Sequence, residues 1–600
     1  MSLAGGMHSG IDPAVLNADG GMYFAGVNVT ARSGVIKTRP SFVAFTSLPS
    51  GKFQGMAVWK LEAVDRFVYF VDGVLYSKRV DTLDEVNHGL RFSPTVDRVH
   101  FCQAYKWMVV QDGVNKPQAL EEDSSGIAVL YSRSSSYADS DAPPAELCLT
   151  PGTVMAYAHG RIHYVPTELP AMTPVITDET QASQLNAIPD IMSGDSGKAC
   201  FVSSDVLDIY VPEFTFRMSE HRVLNEGGGI ELPLELGFIH GMAPIRNAAS
   251  GTGTGPLVVL GREGVCAFDV SVARKDWKNI NIGQVLFSTV GTVSPHSIVQ
   301  MNTDIGFLDT EGKLRTIKFE NSQASNTLTS LPMSHELEVF HQTDTTPYLE
   351  SASASFVDSR LCFTLKGDAG PVYKGLASLD FAKVYSMGGP DSPAYDGIWT
   401  GFDFQQVLAA RDSSRKWRQF VVEKSSTSGN TLLMLSDTAV KDLGSSSIES
   451  MVVTRFMDFG TVVETKVVKT LELWLSGIAE DSSITVYGRP RGFPGWVELG
   501  TKSFHVPGGE PQSRRRVLIP VSQEELACDP VSSEKLNVAT QLQFALVWRG
   551  RLTIDRFRAV AALRVDPAAS CLESDNTEEK EYDSDNSGTT LDYFRYRARG

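Results

Sequence analysis

The stretch Phe67-Val-Tyr-Phe-Val-Asp-Gly-Val-Leu-Tyr76 places two short apolar runs on either side of Asp72-Gly73. An Asp-Gly pair between alternating aromatic and β-branched residues is a strong local signal for a tight β-hairpin. Similar runs occur at Lys106–Val110 and Gly255–Leu260. Helix signals are few: one capping box at Ser522–Glu525 and one start at Leu331–Phe340. The sequence therefore predicts an all-β chain with isolated short helices.

The hairpin signal recurs along the chain. After Asp72-Gly73, candidate turns follow at intervals of 40 to 58 residues, at Asp112-Gly113, Gly160, Ser204, Arg262-Glu263, Thr310-Glu311, Asp358-Ser359 and Asp412-Ser413. Repeats of about 40–50 residues are typical of β-propeller blades. We predict a divergent β-propeller-like region over 41–444, with room for inserted subdomains and the number of blades left open. A pair of β-sandwiches with evenly spaced turns is the alternative.

The ends of the chain differ from this repeat. Residues 1–40 are predicted as an N-terminal arm, and 445–566 as a β-sandwich or jelly roll because short alternating runs are separated by turns every 10–20 residues. Residues 567–600 form an acidic tail with a basic, aromatic end. Between Cys571 and Asp592 the tail has eight acidic residues and one lysine, which predicts a solvated segment.

The final residues are a candidate interaction motif, because aromatic and arginine side chains are enriched where interfaces concentrate binding energy. A frayed end with no partner is the alternative. The residues predicted to interact are Tyr593, Phe594, Arg595, Arg597 and Arg599.

Composition excludes several classes of protein. Hydrophobic residues make up 42% of the 600 residues, which is enough for two to four packed units. The formal charge of −17 argues against a protein that clamps nucleic-acid phosphates. No run approaches the roughly 18 apolar residues of a membrane span, and the first residues do not resemble a signal peptide. The seven scattered cysteines contain no CxxC, which predicts buried thiols in a reducing compartment.

Fragments that resemble catalytic motifs lack their essential parts. Ser193–Lys198 resembles the nucleophile loop of chymotrypsin-like proteases, but no matching histidine motif precedes it. It also fails as a phosphate-binding loop, because Met192 and Ala199 replace the required glycine and hydroxyl. Gly251–Gly255 is followed by Pro256 and a strand, where a dinucleotide site needs a helix.

The metal and glycosidase signals fail in the same way. His159 and His163 could share one face of a strand, but no third ligand accompanies them. Asp583–Gly588 begins like a calcium loop, yet Phe594 stands where the bidentate glutamate is needed. Ser392–Trp399 misplaces the aspartate of a sialidase box. The chain is thus predicted to be no enzyme, with no catalytic residue, cofactor or metal site.

The order of motifs resembles that of tail proteins from short-tailed bacteriophages, specifically the tail nozzle (tail tubular protein B-like) family. Its N-V … R-x-G … x-R-P run is matched at Val27–Gly34 and Lys37–Pro40, after Gly10–Pro13. Hairpins of similar texture follow at Gln111–Gly113 with Lys116-Pro117, Asn302–Asp304 with Gly306-Phe307 and Glu311-Gly312, Ser355–Leu361 and Tyr395–Gly401.

This resemblance implies a structural virion protein: a homo-oligomeric ring, commonly a hexamer, at the distal end of the tail. The ring would join an adaptor or portal-side protein to fibres or spikes, and viral double-stranded DNA would pass through its lumen without specific binding. It would be assembled in the bacterial cytoplasm. In this setting the C-terminal motif would dock on an adjacent subunit or another tail protein, and Arg514-Arg515-Arg516 would be a solvated or intersubunit cluster.

Two alternatives remain open at this stage. One is a receptor-binding or glycan-degrading tailspike, which would need paired carboxylates in a cleft. The other is a propeller scaffold unrelated to viruses.

Overall fold

The computed structural model describes most of the chain. The described residues are 6–10, 12–14, 22–32, 35–62, 64–130, 149–167, 198–207, 216, 230–246, 254–272, 277, 283–301, 304–318, 332–341, 349–367, 371–381, 394–425, 429–459, 466–493, 495–506, 515–521 and 538–563. Strands dominate this part of the chain, which confirms the all-β prediction.

The described part of the first 47 residues has six strands: β1 (Gly6–Met7), β2 (Met22–Tyr23), β3 (Ala25–Val27), β4 (Val29–Thr30), β5 (Ile36–Thr38) and β6 (Ser41–Ser47). The first two four-stranded antiparallel sheets follow. Sheet 1 contains β7 (Phe53–Trp59), β8 (Arg66–Val71), β9 (Val74–Arg79) and β10 (Glu85–Leu90), and sheet 2 contains β11 (His100–Ala104), β12 (Trp107–Gln111), β13 (Gln118–Glu122) and β14 (Ala128–Leu130).

The next three sheets continue in chain order. Sheet 3 contains β15 (Gly152–Ala158), β16 (Arg161–Pro166), β17 (Cys200–Ser203) and β18 (Ile230–Glu231). Sheet 4 contains β19 (Ile239–Arg246), β20 (Thr254–Gly261), β21 (Val265–Phe268) and β22 (Gly283–Phe287). Sheet 5 has three described strands, β23 (Val299–Met301), β24 (Asp304–Leu308) and β25 (Leu314–Thr316).

Two further sheets complete the propeller. The strands called sheet 6 are β26 (Ala354–Val357), β27 (Arg360–Gly367), β28 (Tyr373–Asp380) and β29 (Ala394–Trp399), which are hydrogen-bonded into one larger 13-stranded sheet that also includes sheet 7 and part of the sandwich. Sheet 7 contains β30 (Phe404–Arg411), β31 (Trp417–Ser425) and β32 (Gly429–Ser436), and the N-terminal β6 pairs with β32 as its outermost strand. The two ends of the repeat region thus meet in one sheet.

The seven sheets form a closed ring. The first strands of neighbouring sheets contact one another from sheet 1 to sheet 4 and from sheet 5 to sheet 7, β19 of sheet 4 contacts β24 of sheet 5, and β30 of sheet 7 contacts β7 of sheet 1. In β8, Phe67 and Tyr69 pack toward sheet 7, whereas Val68 and Phe70 pack toward sheet 2. Every residue of β8 is buried because both faces of the sheet are covered. Radial packing of this kind defines a propeller and excludes the two-sandwich alternative for this region.

The predicted turns match the sheets one for one, with one exception. Seven of the eight turns are hairpins, one in each sheet. Ser204 is wrong as a hairpin, because it follows β17 within sheet 3, which already has the turn at Gly160. The turns also differ in position: Asp72-Gly73 joins the second and third strands of sheet 1, while Asp412-Ser413 joins the first and second strands of sheet 7.

A β-sandwich follows the propeller, as predicted. Its first sheet contains β33 (Glu449–Val453), β35 (Ser482–Pro490), β36 (Val497–Phe504) and β39 (Leu542–Arg549). Its second contains β34 (Lys466–Ser476), β37 (Arg515–Pro520), β38 (Val538–Ala539) and β40 (Thr553–Leu563). Apolar side chains of the two sheets share one core, including those of Leu473 and Phe544.

The N-terminal strands belong to both units. β3 pairs with β33 of the sandwich and, through Val27 opposite Ile398, with β29 of the propeller. β5 pairs with β40 and with β4. Much of the segment predicted as an arm therefore lies within the sheets.

Helices are short in the described residues. They comprise α1 (Glu338–His341) and 3-10 turns at Leu234–Leu236, Pro295–Ser297, Met333–Leu337 and Leu349–Ser351. The helix start predicted at Leu331–Phe340 is confirmed, and the one at Ser522–Glu525 lies outside the described residues.

Candidate functional site

Arg39 is the centre of a buried junction between the N-terminal segment, the propeller and the sandwich. Its side chain is 1% exposed and forms a two-pronged ion pair with Asp442, with Nη2–Oδ2 and Nη1–Oδ1 distances of 2.7 and 3.0 Å. The guanidinium also donates to Asn28 Oδ1 at 2.9 Å and to the carbonyl of Thr400 at 3.2 Å. Its plane lies 4.7 Å from the ring centroid of Phe42. One side chain thus holds four chain segments together.

Asn28 completes this junction from the opposite side. It has a φ of 55°, a left-handed conformation that asparagine tolerates better than most residues. Its amide donates to the carbonyl of Glu449 at 2.8 Å and to Thr400 Oγ1 at 3.2 Å, and its Oδ1 accepts from the Thr400 backbone at 2.7 Å. Asn28 therefore connects the end of sheet 6 to the start of β33.

A second set of buried charges lies where the N-terminal segment crosses sheet 6. Arg32 Nε is 3.1 Å from Asp380, whose side chain is fully buried. Asp396, also buried, accepts hydrogen bonds from the Ala31 backbone at 2.8 Å and from Ser378 Oγ at 3.0 Å. Arg360 Nε lies 3.8 Å from Asp396. These carboxylates are engaged by donors of the fold, so their arrangement docks the N-terminal segment on sheet 6.

One end of the propeller axis is closed by side chains. Arg98, just before β11, donates to the carbonyls of Ser351 and Gln405, at 3.1 and 2.9 Å, which belong to the start of sheets 6 and 7. His100 of sheet 2 stacks on His296, which precedes sheet 5, with ring centroids 5.8 Å apart. These contacts join strand starts from different sides of the ring, so they cross the axis.

Of the three side chains that close this end, only Arg98 is charged at neutral pH. Burial lowers the pKa of Arg98 to about 10, which leaves the guanidinium protonated. Burial lowers the pKa of His100 to about 4, against a smaller opposing effect of Asp112. The pKa of His296 is also lowered, first by burial and then by Arg98 and His100. Both imidazoles are therefore neutral at pH 7.

The other end of the axis presents basic and aromatic side chains. Lys60, after β7, lies with its Nζ 5.3 Å from the ring centroid of Trp417, which is 47% exposed. Burial lowers the pKa of Lys60, and the charge of Arg246 at the end of β19 lowers it further. Tyr105, in the turn after β11, is 54% exposed. This set of residues, with Lys106, is called the basic face below.

The predicted interaction residues Tyr593, Phe594, Arg595, Arg597 and Arg599 lie outside the described residues, as does Arg514. Of the neighbouring arginines, Arg516 is 2.6 Å from Glu472 and Arg515 lies over the Phe504 ring at 5.6 Å.

The histidine pair does not share a strand face. His159 lies in the turn after β15 with a φ of 48°, while His163 is fully buried in β16 and hydrogen-bonded to Ser203 Oγ at 2.6 Å. No cluster of three metal-ligating side chains occurs among the described residues. The motifs at Ser193–Gly197, Gly251–Gly253 and Asp583–Gly588 lie outside those residues, whereas Tyr395–Trp399 lies in β29.

Four of the seven cysteines are described, and all four are buried free thiols: Cys102, Cys200, Cys266 and Cys362. Burial raises the pKa of Cys102 to about 12, so the reactive thiolate is scarce at neutral pH. This agrees with the predicted buried thiols.

A surface depression of about 420 Å³ lies at the edge of the sandwich, beside Asp481, His505 and Arg549. Asp481 and His505 are 2.9 Å apart, but both side chains are more than half exposed. In the described part of the chain, no helix is long and apolar enough to cross a membrane.

In the sequence, Arg39 and Asn28 are visible only as parts of a motif, and no pattern predicts the residues at either end of the axis. Arg98 and Gln405 are 307 positions apart, and no local pattern links them. The exposed Trp417 beside Arg415 and Lys416 was the one local signal for the basic face.

No protein-family model matches this chain, and no curated protein matches it. Among solved structures, the chain is similar to the β-propeller domain of Cps50 (Swd1) from Myceliophteria thermophila. The TM-score is 0.33 and the sequence identity 9%, over 66% of this chain and 99% of that one. At this distance the similarity carries no argument about function.

Proposed function

We propose that this chain is a non-enzymatic structural protein that acts as one rigid unit and binds other proteins. The observation that carries the proposal is the Arg39 junction, in which a buried, two-pronged ion pair joins the N-terminal segment to the end of the propeller. Asn28 extends the same network to the sandwich. Rigid coupling of two units suits a scaffold, whose surfaces must keep a fixed relation to each other.

We further propose that the assembly is the distal ring, or nozzle, of a short bacteriophage tail. What supports this is the match between motif and structure: Asn28, Arg32 and Arg39 of the motif are the residues that dock the N-terminal segment. A family that shares this motif would share the junction. The adaptor or portal-side protein and the fibres or spikes would then bind the outer surfaces of the ring.

A propeller scaffold unrelated to viruses is the second candidate. The closure of the ring by β6 favours it. Because the N-terminal β6 pairs with β32 of the last sheet, the propeller closes within one chain and needs no neighbouring copy.

Native mass spectrometry and electron microscopy of the full-length protein separate these candidates. The nozzle proposal expects a closed ring, commonly of six copies, with a central lumen. A protein that stays monomeric at all concentrations would contradict the nozzle proposal and leave the scaffold. Release of oligosaccharides from host capsule or lipopolysaccharide by the purified protein would contradict both, because it would show a glycan-degrading enzyme.

A further inference from the structure

The basic face is built from four sheets that meet at the open end of the axis. Lys60 follows β7 of sheet 1, Lys106 lies in the turn of sheet 2, Arg246 ends β19 of sheet 4, and Trp417 begins β31 of sheet 7. The side chains of Gln103 and Trp59 hold these turns in place. Gln103 Oε1 accepts from the Lys60 amide at 2.9 Å, and its Nε2 donates to the Lys60 carbonyl at 2.7 Å. The indole of Trp59 donates to the Lys106 carbonyl at 3.0 Å.

The described residues offset only part of the positive charge of this face. Lys60, Lys106 and Arg246 are exposed, and none of them forms an ion pair with a carboxylate in the described part of the chain. Arg411, by contrast, is engaged by the buried Asp65. Glu62 is the exposed acidic residue in the turn that follows Lys60. Three unpaired cations near one axis, in a chain of net charge −17, form a local reversal of sign.

Exposed aromatic rings lie beside these charges. Trp417 and Tyr105 are 47% and 54% exposed, although large aromatic side chains usually lose most of their surface on folding. Aromatic and basic side chains together are the types that contribute most binding energy at protein interfaces. The axis does not continue as a channel behind this face, because Arg98, His100 and His296 close its opposite end.

We propose that the basic face binds the acidic segment Glu573–Asp592 of this chain. That segment has eight acidic residues and one lysine, so its charge is complementary to that of the face. It lies in residues 564–600, outside the described part of the chain.

The length of the chain allows this contact. From Leu563, the last residue of β40, to Asp592 an extended chain spans about 95 Å. A folded chain of about 560 residues has a radius of gyration of about 25 Å, so the far end of the segment can reach the basic face of its own copy or of a neighbouring one.

Zero-length carbodiimide cross-linking of the full-length protein tests the proposal, because the reagent joins lysine only to a carboxylate in direct contact. We expect cross-links from the 573–592 segment to Lys60 and Lys106 in at least tenfold excess over those to Lys116. Lys116 is the matched control, since it is also exposed but lies in the turn between β12 and β13, at the closed end of the axis.

The variant Arg246→Gln keeps both target lysines and removes one charge of the face. We expect it to lower the cross-linking yield at Lys60 about fivefold, and 0.5 M salt to lower it similarly because exposed charges are screened. Circular dichroism verifies the fold of the variant. Lys502→Gln, a substitution of an exposed lysine in β36 of the sandwich, should leave the yield unchanged.

Several results would overturn the proposal. Equal yields at Lys60 and Lys116 would show random contact of the segment, and an unchanged yield in Arg246→Gln would show that the face does not attract it. Submicromolar binding of single-stranded or duplex DNA that is lost in Arg246→Gln, without segment cross-links, would assign the face to nucleic acid instead.

Discussion

Replacing Arg39 with methionine should destabilise the protein strongly, because it leaves Asp442 buried without its cation. Asp442 is 9% exposed and Arg39 1% exposed, so neither can be solvated in place. Removing one partner of a buried ion pair typically costs about 3–5 kcal/mol. Asn28 and Thr400 also lose a donor, which places the expected loss of unfolding free energy for Arg39→Met in the upper half of that range.

Urea denaturation followed by tryptophan fluorescence measures this loss. The matched control is Lys374→Met, because Lys374 and Asp403 form an ion pair of 2.6 Å whose side chains are 49% and 40% exposed. Exposed pairs contribute about 0–1 kcal/mol, so the control should lose little stability. Each variant removes one positive charge from an ion pair of similar length, and the two ion pairs differ in how deeply they are buried.

A double-mutant cycle with Asp442→Leu completes the test. Since Arg39→Met/Asp442→Leu leaves no unpaired charge, it should cost less than the sum of the two single variants. A loss below about 1 kcal/mol for Arg39→Met, or exact additivity in the cycle, would refute the claim that this pair holds the junction.

Three further predictions follow from the same region of the fold. Gly397→Ala should lower the unfolding free energy by about 3 kcal/mol or more, because the φ of Gly397 is +117° and a Cβ there would lie 2.1 Å from the carbonyl oxygen of Gly26. The control Gly89→Ala, at a φ of +82° with no neighbour within 4 Å, should cost about 1–2 kcal/mol in the same urea assay. Phe42→Ala should cost about 3–5 kcal/mol in that assay, since the ring is fully buried between sheets 6 and 7, and a loss below about 1 kcal/mol would contradict its assigned place. Burial raises the pKa of Glu336 from 4.5 to about 7, so the folded protein holds a proton that the unfolded chain releases, and stability falls as the pH rises through that range. Glu336→Gln should therefore be more stable than the parent at pH 8, by at most about 3 kcal/mol, with about a quarter of that gain left at pH 5. A gain that does not depend on pH would contradict the buried acid.

The sequence predicted the propeller because its local signals are strong where strands are buried on both faces. All six residues of β8 are buried, and the Asp72-Gly73 turn supplies the positive φ values of 48° and 75° that a tight hairpin needs. It did not predict which strands each turn joins, since a hairpin signal is the same at either end of a sheet. Ser204 was wrong because a polar pair after an apolar strand also occurs where the chain continues beside its neighbour: the amides of Ser204 and Leu207 donate to the carbonyls of Ile162 and Gly160.

The N-terminal strands could not be read from local pattern. β3, β4 and β5 have two or three residues each, which is too short for any periodicity, and apart from the β4–β5 pair their partners lie hundreds of residues away. Arg39 illustrates the same limit, because a single arginine before a proline gives no sign of burial until Asp442, 403 positions later, is placed beside it.

The closed axis restricts what a conduit made from this protein could be. Arg98 is held by carbonyls of sheets 6 and 7, and these sheets share packed cores with their neighbours on both faces. Widening the axis enough for a DNA duplex would separate those cores, at a cost far above the stability of a typical domain. A duplex therefore cannot pass through the propeller itself. If the protein forms a tail nozzle, the DNA path must run between copies, and the residues lining it must come from the outer surfaces of the propeller or the sandwich.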